Sequence, residues 1–297
     1  MLDWFCSLII KDCDVLISMS GMSLRTIRRV QAAFGAACFL ERSSQHIEAQ
    51  KQILDEQGAG DSVAEWTVRR ELLEYDAVHK IVVLSSHCVE SFLERGIPAD
   101  KLRRLSLGVD LGLFQCTPTK GQSDQLRVLF VGTWCFQKGC DLLEHAVLEL
   151  EGIQVSHVGA LGDLPFPEDS RFVHHDPVQE EELPHFYQQS DVFVLPSRQD
   201  GFGMVLLQAL ASGRCVITSD LTGGPDLVKD FGLQGIVRTF DAGSAMELAN
   251  ALRDARDELR LSGRLEGCGE SIRNQLGWNA YAGRYAQMMV SEVEQSR

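Results

Sequence analysis

Two segments of the sequence carry glycines beside charged or amide side chains, at points where an apolar run gives way to a helical pattern. The first, residues 131–139, reads Val-Gly-Thr-Trp-Cys-Phe-Gln-Lys-Gly and follows the apolar run 127–131. Gly132 lets a ligand approach the backbone, and Lys138 adds a cation at a helix start, which together suit a phosphate. The alternative for this segment alone is a plain turn with a solvated lysine, because its spacing is not that of a Walker loop.

The second segment, residues 195–213, also joins an apolar strand to a helix, which we expect over 202–211. The backbone N–H groups of residues 201–203 lie at the predicted helix start, where such groups can hold a diphosphate. Asp200 can accept hydrogen bonds from sugar hydroxyls, and Gln208, about two turns further on, can bond a ribose hydroxyl. The alternative makes Asp200 the helix N-cap and Gln208 an ordinary polar residue of the helix.

Short apolar runs that alternate with amphipathic stretches must position these two segments. Near-continuous apolar runs are typical of parallel strands that are buried on both faces. We expect strands over residues 14–19, 36–40, 80–84, 101–107, 127–131, 154–158, 171–174, 192–195, 215–218 and 235–237. We expect helices over residues 23–34, with Ser23 as N-cap, 44–76 with a break near 58–61, 86–94, 140–150, 202–211, 243–261 and 277–295.

The alternation of strands and helices occurs twice, on either side of the polar stretch 112–125, which is typical of a linker. This pattern predicts an α/β protein with two Rossmann-like, doubly wound domains that face each other across a cleft. We place the domains at residues 1–115 and 124–297, with the last helix, 277–295, packing back on the first domain. In such sheets ligands bind beyond the carboxyl ends of the strands, so we expect the site in the cleft.

Composition narrows the classes of function and partner. The 297 residues suffice for two domains, and 28 Lys+Arg against 42 Asp+Glu give a formal net charge of −14. This charge excludes a broad basic footprint for nucleic acid, although it leaves room for a local basic pocket. No apolar stretch approaches the length of about 20 residues that a membrane span needs. The first residues lack the basic region of a signal peptide.

The nine cysteines and the acidic pairs favour neither a disulfide framework nor a metal site. The cysteine count is odd and no C-x-x-C pair occurs, so we expect a reducing compartment and a cytoplasmic protein. Asp12-Cys13-Asp14 has the form of a D-x-D metal motif, but it precedes a predicted strand instead of following one. We therefore interpret it as loop acid and expect no metal and no cofactor.

The sequence resembles the family-4-type retaining glycosyltransferases (glycosyl transferases group 1, GT-B fold) from about residue 10 to its end. Each motif is weak by itself, but all of them occur in the order that this family has. The stretches that carry the resemblance are residues 95–102 with 107–110, 130–132 with 138–139, 187–197, 201–203 and 222–226.

This resemblance implies a transfer of a hexose-type sugar, with retention, from a nucleotide-diphosphate sugar to a glycan or lipid-linked acceptor. The C-terminal domain would hold the donor, a UDP- or GDP-sugar, and the N-terminal domain a glycan, lipid-linked or small-molecule acceptor. The donor-binding residues would be Gly132, Thr133, Lys138, Asp200, Gly201, Phe202, Gly203 and Gln208. The resemblance also allows contact with a membrane surface, although no basic amphipathic helix in the sequence requires it.

Three of the implied residues would act in catalysis. Lys138, with the helix start after residue 201, would stabilise the charge on the departing diphosphate. Asp200 would hold hydroxyls of the transferred sugar, and Gln208 the ribose. His46 lies after the second predicted strand, where family members often have a histidine that orients the sugar or the acceptor. A surface histidine or one at a helix start is the alternative for His46.

The sequence departs from the family in three places. Asp200 and Gln208 replace the two glutamates of the Glu-x7-Glu motif, and Thr133 stands where many members have an arginine. The N-terminal domain also looks truncated, since the strand predicted over residues 14–19 resembles a middle strand of the family. A start upstream of Met1, a split gene or a decayed enzyme would each produce this pattern.

Two alternatives to an active transferase follow from these departures and from the glycines. One is a truncated or catalytically inactive family member that acts as a partner or regulatory subunit. The other is a dinucleotide oxidoreductase, which the sequence disfavours because Leu206 occupies the third glycine position of the G-x-G-x-x-G fingerprint.

Overall fold

A computed structural model describes residues 1–56, 63–117 and 125–295 of the chain. The chain divides into two compact units, residues 1–105 with 285–297, and residues 106–284. Each unit contains one parallel sheet with helices, so the predicted α/β class with two parallel sheets is confirmed. The predicted break near 58–61 and residues 118–124 of the predicted linker lie outside the described residues.

The first unit has a four-stranded parallel sheet in the order β1-β2-β3-β4. Its elements are α1 (Leu2–Ile9), β1 (Val15–Met19), α2 (Leu24–Phe34), β2 (Ala37–Arg42), α3 (Ile47–Glu56), α4 (Glu65–Ala77), β3 (Lys80–Val83), α5 (Ser86–Glu94) and β4 (Leu102–Arg104). The first of these helices was not expected from the sequence. The sheet packs its apolar side chains with those of α2, α4 and α5 in one buried core.

A buried acid on α4 holds the turn that precedes α2. Ser23 is the N-cap residue, as predicted, but its side chain does not cap the helix. The Ser23 hydroxyl donates instead to the carbonyl of Met19 at 3.1 Å. The carboxylate of Glu74, on α4, accepts the backbone N–H groups of Gly21 at 2.5 Å and Ser23 at 2.7 Å. Glu74 thereby ties the turn after β1 to α4.

The second unit contains a six-stranded parallel sheet and most of the remaining helices. Its elements are β5 (Leu126–Val131), α6 (Cys140–Leu148), β6 (Ile153–Val158), β7 (Phe172–His175), α7 (Leu183–Gln189), β8 (Val192–Leu195), α8 (Met204–Ala211), β9 (Cys215–Ser219), α9 (Gly224–Phe231), β10 (Val237–Phe240), α10 (Ala245–Ser262), α11 (Glu270–Leu276) and the start of α12 (Trp278–Gln295). The helices α7, α9 and α11 were not expected from the sequence.

The strand order of the second sheet defines where a ligand can bind. The order is β10-β9-β8-β5-β6-β7, so the chain runs from β5 towards one edge and later returns to the other side of β5. The neighbours β5 and β8 therefore flank a topological switch point. In open parallel sheets the crevice at the carboxyl ends of such strands is the preferred ligand site.

The last helix contributes to both compact units, since residues from Tyr285 onward belong to the first. Within that unit Glu292 of α12 is buried and pairs with Lys80 at 3.1 Å and with Arg103. Burial opposes the charge on Glu292, but the hydrogen bonds from Arg103 and Lys80 outweigh it and lower the pKa of this carboxyl. These contacts anchor the end of α12 to strands β3 and β4.

Candidate active site

Two loops meet at the switch point of the second sheet. Residues 132–139 follow β5, and residues 196–203 follow β8. The backbone N–H of Arg198 donates to the carbonyl of Gln137 at 2.9 Å, and the Gln137 amide donates to Gln199 Oε1 at 2.8 Å. The two segments that the sequence singled out are thus hydrogen-bonded to each other.

Gly139 is the point of closest approach between the two loops. It is the N-cap of α6 and has φ of 70°, in the left-handed region that favours glycine. A Cβ atom at this position would overlap the carbonyl of Pro196. The loop after β5 therefore passes against the loop after β8 only because residue 139 has no side chain.

Lys138 and Asp200 form an ion pair in this crevice. The Lys138 Nζ lies 2.6 Å from Asp200 Oδ2, and the two side chains are 27% and 18% exposed, respectively. The backbone of Asp200 is held by the loop after β9, since the Asp200 N–H donates to the Leu221 carbonyl at 3.1 Å. The predicted cation and the predicted acid are therefore adjacent, in a position that solvent reaches.

The start of α8 differs from the sequence-based expectation. The prediction that this helix begins at Phe202 is wrong, because Gly203 has φ of 84° and acts as the N-cap. Asp200 is consequently not the N-cap, although its Oδ1 accepts the Phe202 N–H at 3.4 Å. Phe202 is buried and its carbonyl accepts the N–H of Gly223 at 2.7 Å. Gly201, Phe202 and Gly203 lie together in the turn between Asp200 and the helix.

Gln208 lies on α8 with both ends of its amide engaged. Its Oε1 accepts the hydroxyl of Tyr187 at 3.1 Å, and its Nε2 donates to Glu180 Oε1 at 3.1 Å. Burial, together with the nearby Glu180, raises the pKa of Tyr187 well above its usual value, so the phenol remains protonated. The Gln208 side chain is buried, so it is not a solvated polar residue of the helix, and its bond to the ribose stays a prediction.

Arg198 is a residue of the site that sequence reasoning passed over. Its guanidinium forms a bidentate pair with Asp141 at 2.6 and 2.7 Å and lies 3.8 Å from the centroid of the Phe136 ring. It also donates to the Phe136 carbonyl at 2.7 Å. An arginine in a loop between a strand and a helix is a signal for a charged partner. In the structure Arg198, in the loop after β8, bonds the Phe136 carbonyl in the loop after β5 and thereby joins the two loops.

The remaining predicted residues of the first loop are Gly132 and Thr133. The carbonyl of Gly132 accepts a hydrogen bond from His157 Nε2 at 2.8 Å, and Thr133 is exposed beside it. Burial lowers the pKa of His157 despite this bond, so the ring is neutral and donates through Nε2. His157 holds the backbone at the end of β5, where the sequence predicts a close approach to the donor.

His46 has the surroundings of a core residue in the first unit. Its side chain is 1% exposed, and its ring lies 5.1 Å from that of Tyr75 and 5.0 Å from that of Phe92, centroid to centroid. Burial, with smaller effects of Arg95 and Arg42, lowers the pKa of His46 to about 4. The ring is therefore neutral at pH 7. The alternative of a surface histidine is wrong, whereas the alternative of a helix-start histidine is confirmed, because His46 directly precedes α3 and its carbonyl accepts the Gln50 N–H at 2.9 Å. A role in orienting sugar or acceptor stays a prediction.

The described part of the chain contains no group of three or more His, Cys, Asp or Glu side chains arranged to hold a metal ion. Asp12, Cys13 and Asp14 directly precede β1, as the sequence indicated. None of the nine cysteines, all of which lie in the described ranges, forms a disulfide bond. Among the described residues, every helix is too short or too polar to cross a membrane.

Comparison with known proteins finds a family model that matches much of the second unit. The family model described as "Glycosyl transferases group 1" matches residues 125–257, which include both loops and the helix that carries Gln208. Over these residues the chain is similar to the glycosyl transferases group 1 family. The predicted family resemblance is confirmed for this part of the chain.

Two curated relatives extend the comparison. An uncharacterized 41.2 kDa protein of the cps region of Klebsiella pneumoniae is 25% identical over 198 residues, 60% of this chain and 55% of that protein. Sulfoquinovosyl transferase SQD2 of Arabidopsis thaliana is 28% identical over 148 residues, 44% of this chain and 28% of its own. The chain thus spans about half or less of the length of these relatives.

The structural neighbours show the fold. A structure of Anabaena Alr3699/HepE in complex with UDP has a TM-score of 0.71 at 13% identity, and the match covers 97% of this chain and 80% of that one. The two parallel sheets described above are those of the GT-B glycosyltransferase neighbours. The predicted fold family is therefore confirmed, whereas the roles of individual residues stay predictions.

Proposed function

We propose that this protein is a retaining glycosyltransferase that moves a hexose-type sugar from a UDP- or GDP-sugar to a glycan, lipid-linked or small-molecule acceptor. The observation that carries the proposal is the Lys138–Asp200 pair at the switch point of the second sheet. It lies in the part of the chain that matches the glycosyl transferases group 1 family. A structural neighbour with the same fold was solved with UDP.

The charges of the site fit the reaction. In the transfer, the bond between the anomeric carbon and the diphosphate oxygen breaks, and the acceptor oxygen bonds to that carbon. The acceptor's proton leaves with the released nucleoside diphosphate. Negative charge develops on the diphosphate, where the ammonium of Lys138 and the first turn of α8 would stabilise it. Asp200 would accept hydrogen bonds from the sugar hydroxyls, and its negative charge would stabilise positive charge that develops on the sugar.

Nucleotide binding tests the proposal directly. Saturation with UDP or GDP at about 100 times Kd should raise the free energy of unfolding by about 2.7 kcal/mol, which shifts Tm by several degrees. Uridine and guanosine, which lack the diphosphate, are the controls and should give much smaller shifts. If no nucleoside diphosphate and no nucleotide sugar shifts Tm, the proposal is wrong.

The inactive partner or regulatory subunit remains the second candidate. It is favoured by Asp200 and Gln208, which replace two glutamates of the family motif. Incubation with UDP- and GDP-sugars, with release of nucleoside diphosphate as readout, separates the two candidates. Nucleotide binding without release of diphosphate in the presence of acceptors would favour the second, and sugar transfer would exclude it.

A lipid-linked acceptor agrees with the surface of α1. The side chains of Leu2, Trp4, Phe5, Leu8 and Ile9 on this helix are each more than half exposed. Its one buried residue is Asp3, whose carboxylate accepts the N–H groups of Arg25 and Thr26 at 2.9 Å and pairs with Arg70 at 2.6 Å. The helix is thus held with its acid inward and its apolar side chains outward.

The neighbouring helix supplies positive charge. Arg25, Arg28 and Arg29 are exposed on α2, against which α1 packs. Exposed aromatic and aliphatic side chains beside arginines fit the surface of an anionic bilayer. We therefore extend the proposal to peripheral contact of α1 with anionic phospholipid.

Vesicle binding tests this contact. The protein should sediment with phosphatidylglycerol vesicles more than with phosphatidylcholine vesicles, and Phe5→Asp should reduce the bound fraction about tenfold. Leu261→Asp, at a position of α10 that is 90% exposed against 55% for Phe5, is the control and should change nothing. No binding by the wild type would exclude the contact, and a dimer that Phe5→Asp dissociates would assign the face to a second copy.

A further inference from the structure

Glu180 contacts Gln208, the residue that the family resemblance places at the ribose, from an element that the sequence motifs did not include. It lies on the short turn after β7, residues 180–182, where its side chain is exposed to solvent. One of its carboxylate oxygens, Oε1, accepts the Nε2 amide of Gln208 at 3.1 Å. The two residues are 28 positions apart in the chain, so only the fold brings them together.

The chemistry of the neighbours determines the orientation of the Gln208 amide. A carboxylate can only accept a hydrogen bond, so the NH₂ group must face Glu180. The amide oxygen then faces the hydroxyl of Tyr187, which is fully buried and remains protonated. Gln208 itself is 5% exposed. Its amide is therefore locked in place and presents little surface to a ligand.

The exposed acceptor at this point of the site is the Glu180 carboxylate. A ribose ring offers two vicinal hydroxyls, which are both hydrogen-bond donors, and an ionised carboxylate can accept from both. Of the two following glutamates, Glu182 is engaged in a capping box with Gln179. Glu180 is the residue of this turn that contacts α8.

We propose that Glu180 binds the ribose diol of the nucleoside diphosphate, with Gln208 and Tyr187 as the residues that position it. This inference rests on the proposed function, since it names the group that recognises the ribose of the donor. It assigns to Glu180 the carboxylate that the Asp200…Gln208 motif lacks at its second position. The ligand class is a ribonucleoside diphosphate, in preference to its 2′-deoxy counterpart.

The test compares UDP and GDP with 2′-deoxy-UDP and 2′-deoxy-GDP by isothermal titration calorimetry. Wild-type protein should bind the ribonucleotide about tenfold more tightly than the deoxynucleotide, the loss expected for a hydrogen bond to a charged group. Glu180→Gln should weaken binding of the ribonucleotide about tenfold and remove the discrimination, with little change for the deoxynucleotide. Glu181→Gln, the adjacent exposed glutamate, is the matched control and should behave as wild type.

The outcomes separate this inference from the proposed function. A wild type that binds ribonucleotides and a Glu180→Gln variant with unchanged affinity and discrimination would overturn the assignment of Glu180 alone. No binding by the wild type would overturn the proposed function and this assignment with it. A melting curve for each variant confirms that it is folded, because Glu180 is exposed and its removal should leave Tm within about 1–2 °C of wild type.

Discussion

Lys138→Ala should abolish the thermal shift that UDP or GDP produces and should lower the rate of sugar transfer by about 10²- to 10³-fold. Lys138 is the cation that contacts Asp200, at 2.6 Å, in the crevice between the carboxyl ends of β5 and β8. Its loss leaves the diphosphate without a side-chain cation from this loop. It also removes the cation that faces the Asp200 carboxylate beside the position proposed for the phosphate.

The control for this variant is Lys229→Ala, which removes an exposed lysine from α9 of the same unit. It changes the net charge equally and should leave nucleotide binding and transfer unchanged. Lys138→Arg keeps the charge with a different shape and should retain part of the binding. If Lys138→Ala binds UDP and GDP as wild type does, the diphosphate lies elsewhere and the proposed site is wrong.

Gly139→Ala should lower the free energy of unfolding of the second unit by about 2–5 kcal/mol and weaken nucleotide binding. Two effects add in this prediction. A side chain at φ of 70° costs about 1–2 kcal/mol, and the overlap of its Cβ with the Pro196 carbonyl forces a backbone shift of about 1–3 kcal/mol. The shift moves the loop that carries Lys138 away from the loop that carries Asp200, so the ion pair should be lost as well.

Gly232→Ala is a closely matched control for the second effect. Gly232 ends α9 with φ of 65°, and the nearest atom to its added Cβ would be Gln234 Oε1 at 3.9 Å. This variant carries the cost of the left-handed backbone without the overlap, so urea unfolding should show a loss of about 1–2 kcal/mol only. Equal losses for the two variants would mean that the loops do not approach each other at Gly139.

Several elements could be predicted because their pattern is local. The strand β8 and the helix α5 have the predicted bounds, since continuous apolar runs and a Gly-Ile-Pro stop signal are contained in the elements and their flanks. The start of α8 was missed by two residues because a glycine with positive φ, Gly203, ends the loop later than the pattern suggested. The helix α1 was missed because its apolar side chains face outward and its acid inward, which inverts the usual pattern.

In the candidate site, too, some features could be predicted from the sequence and others depend on the tertiary structure. Lys138 and Asp200 could be named from their segments, but the 2.6 Å contact between residues 62 positions apart depends on the crossing of two loops. Glu180 carries no signal of its own in a run of three glutamates. His46 was named from its place after a strand, and only the packing of the Tyr75 and Phe92 rings around it shows that it is buried.

The sequence by itself determined the α/β class, the presence of two sheets and the two glycine-containing segments, because hydrophobic period and turn residues are properties of short stretches of chain. Only the tertiary structure decided the order β10-β9-β8-β5-β6-β7, which makes β5 and β8 neighbours and brings their loops to one crevice. Strand order depends on which buried surfaces pack together over long separations in sequence, and no local pattern encodes it. For the same reason the contact of Glu180 with Gln208 is a product of the fold.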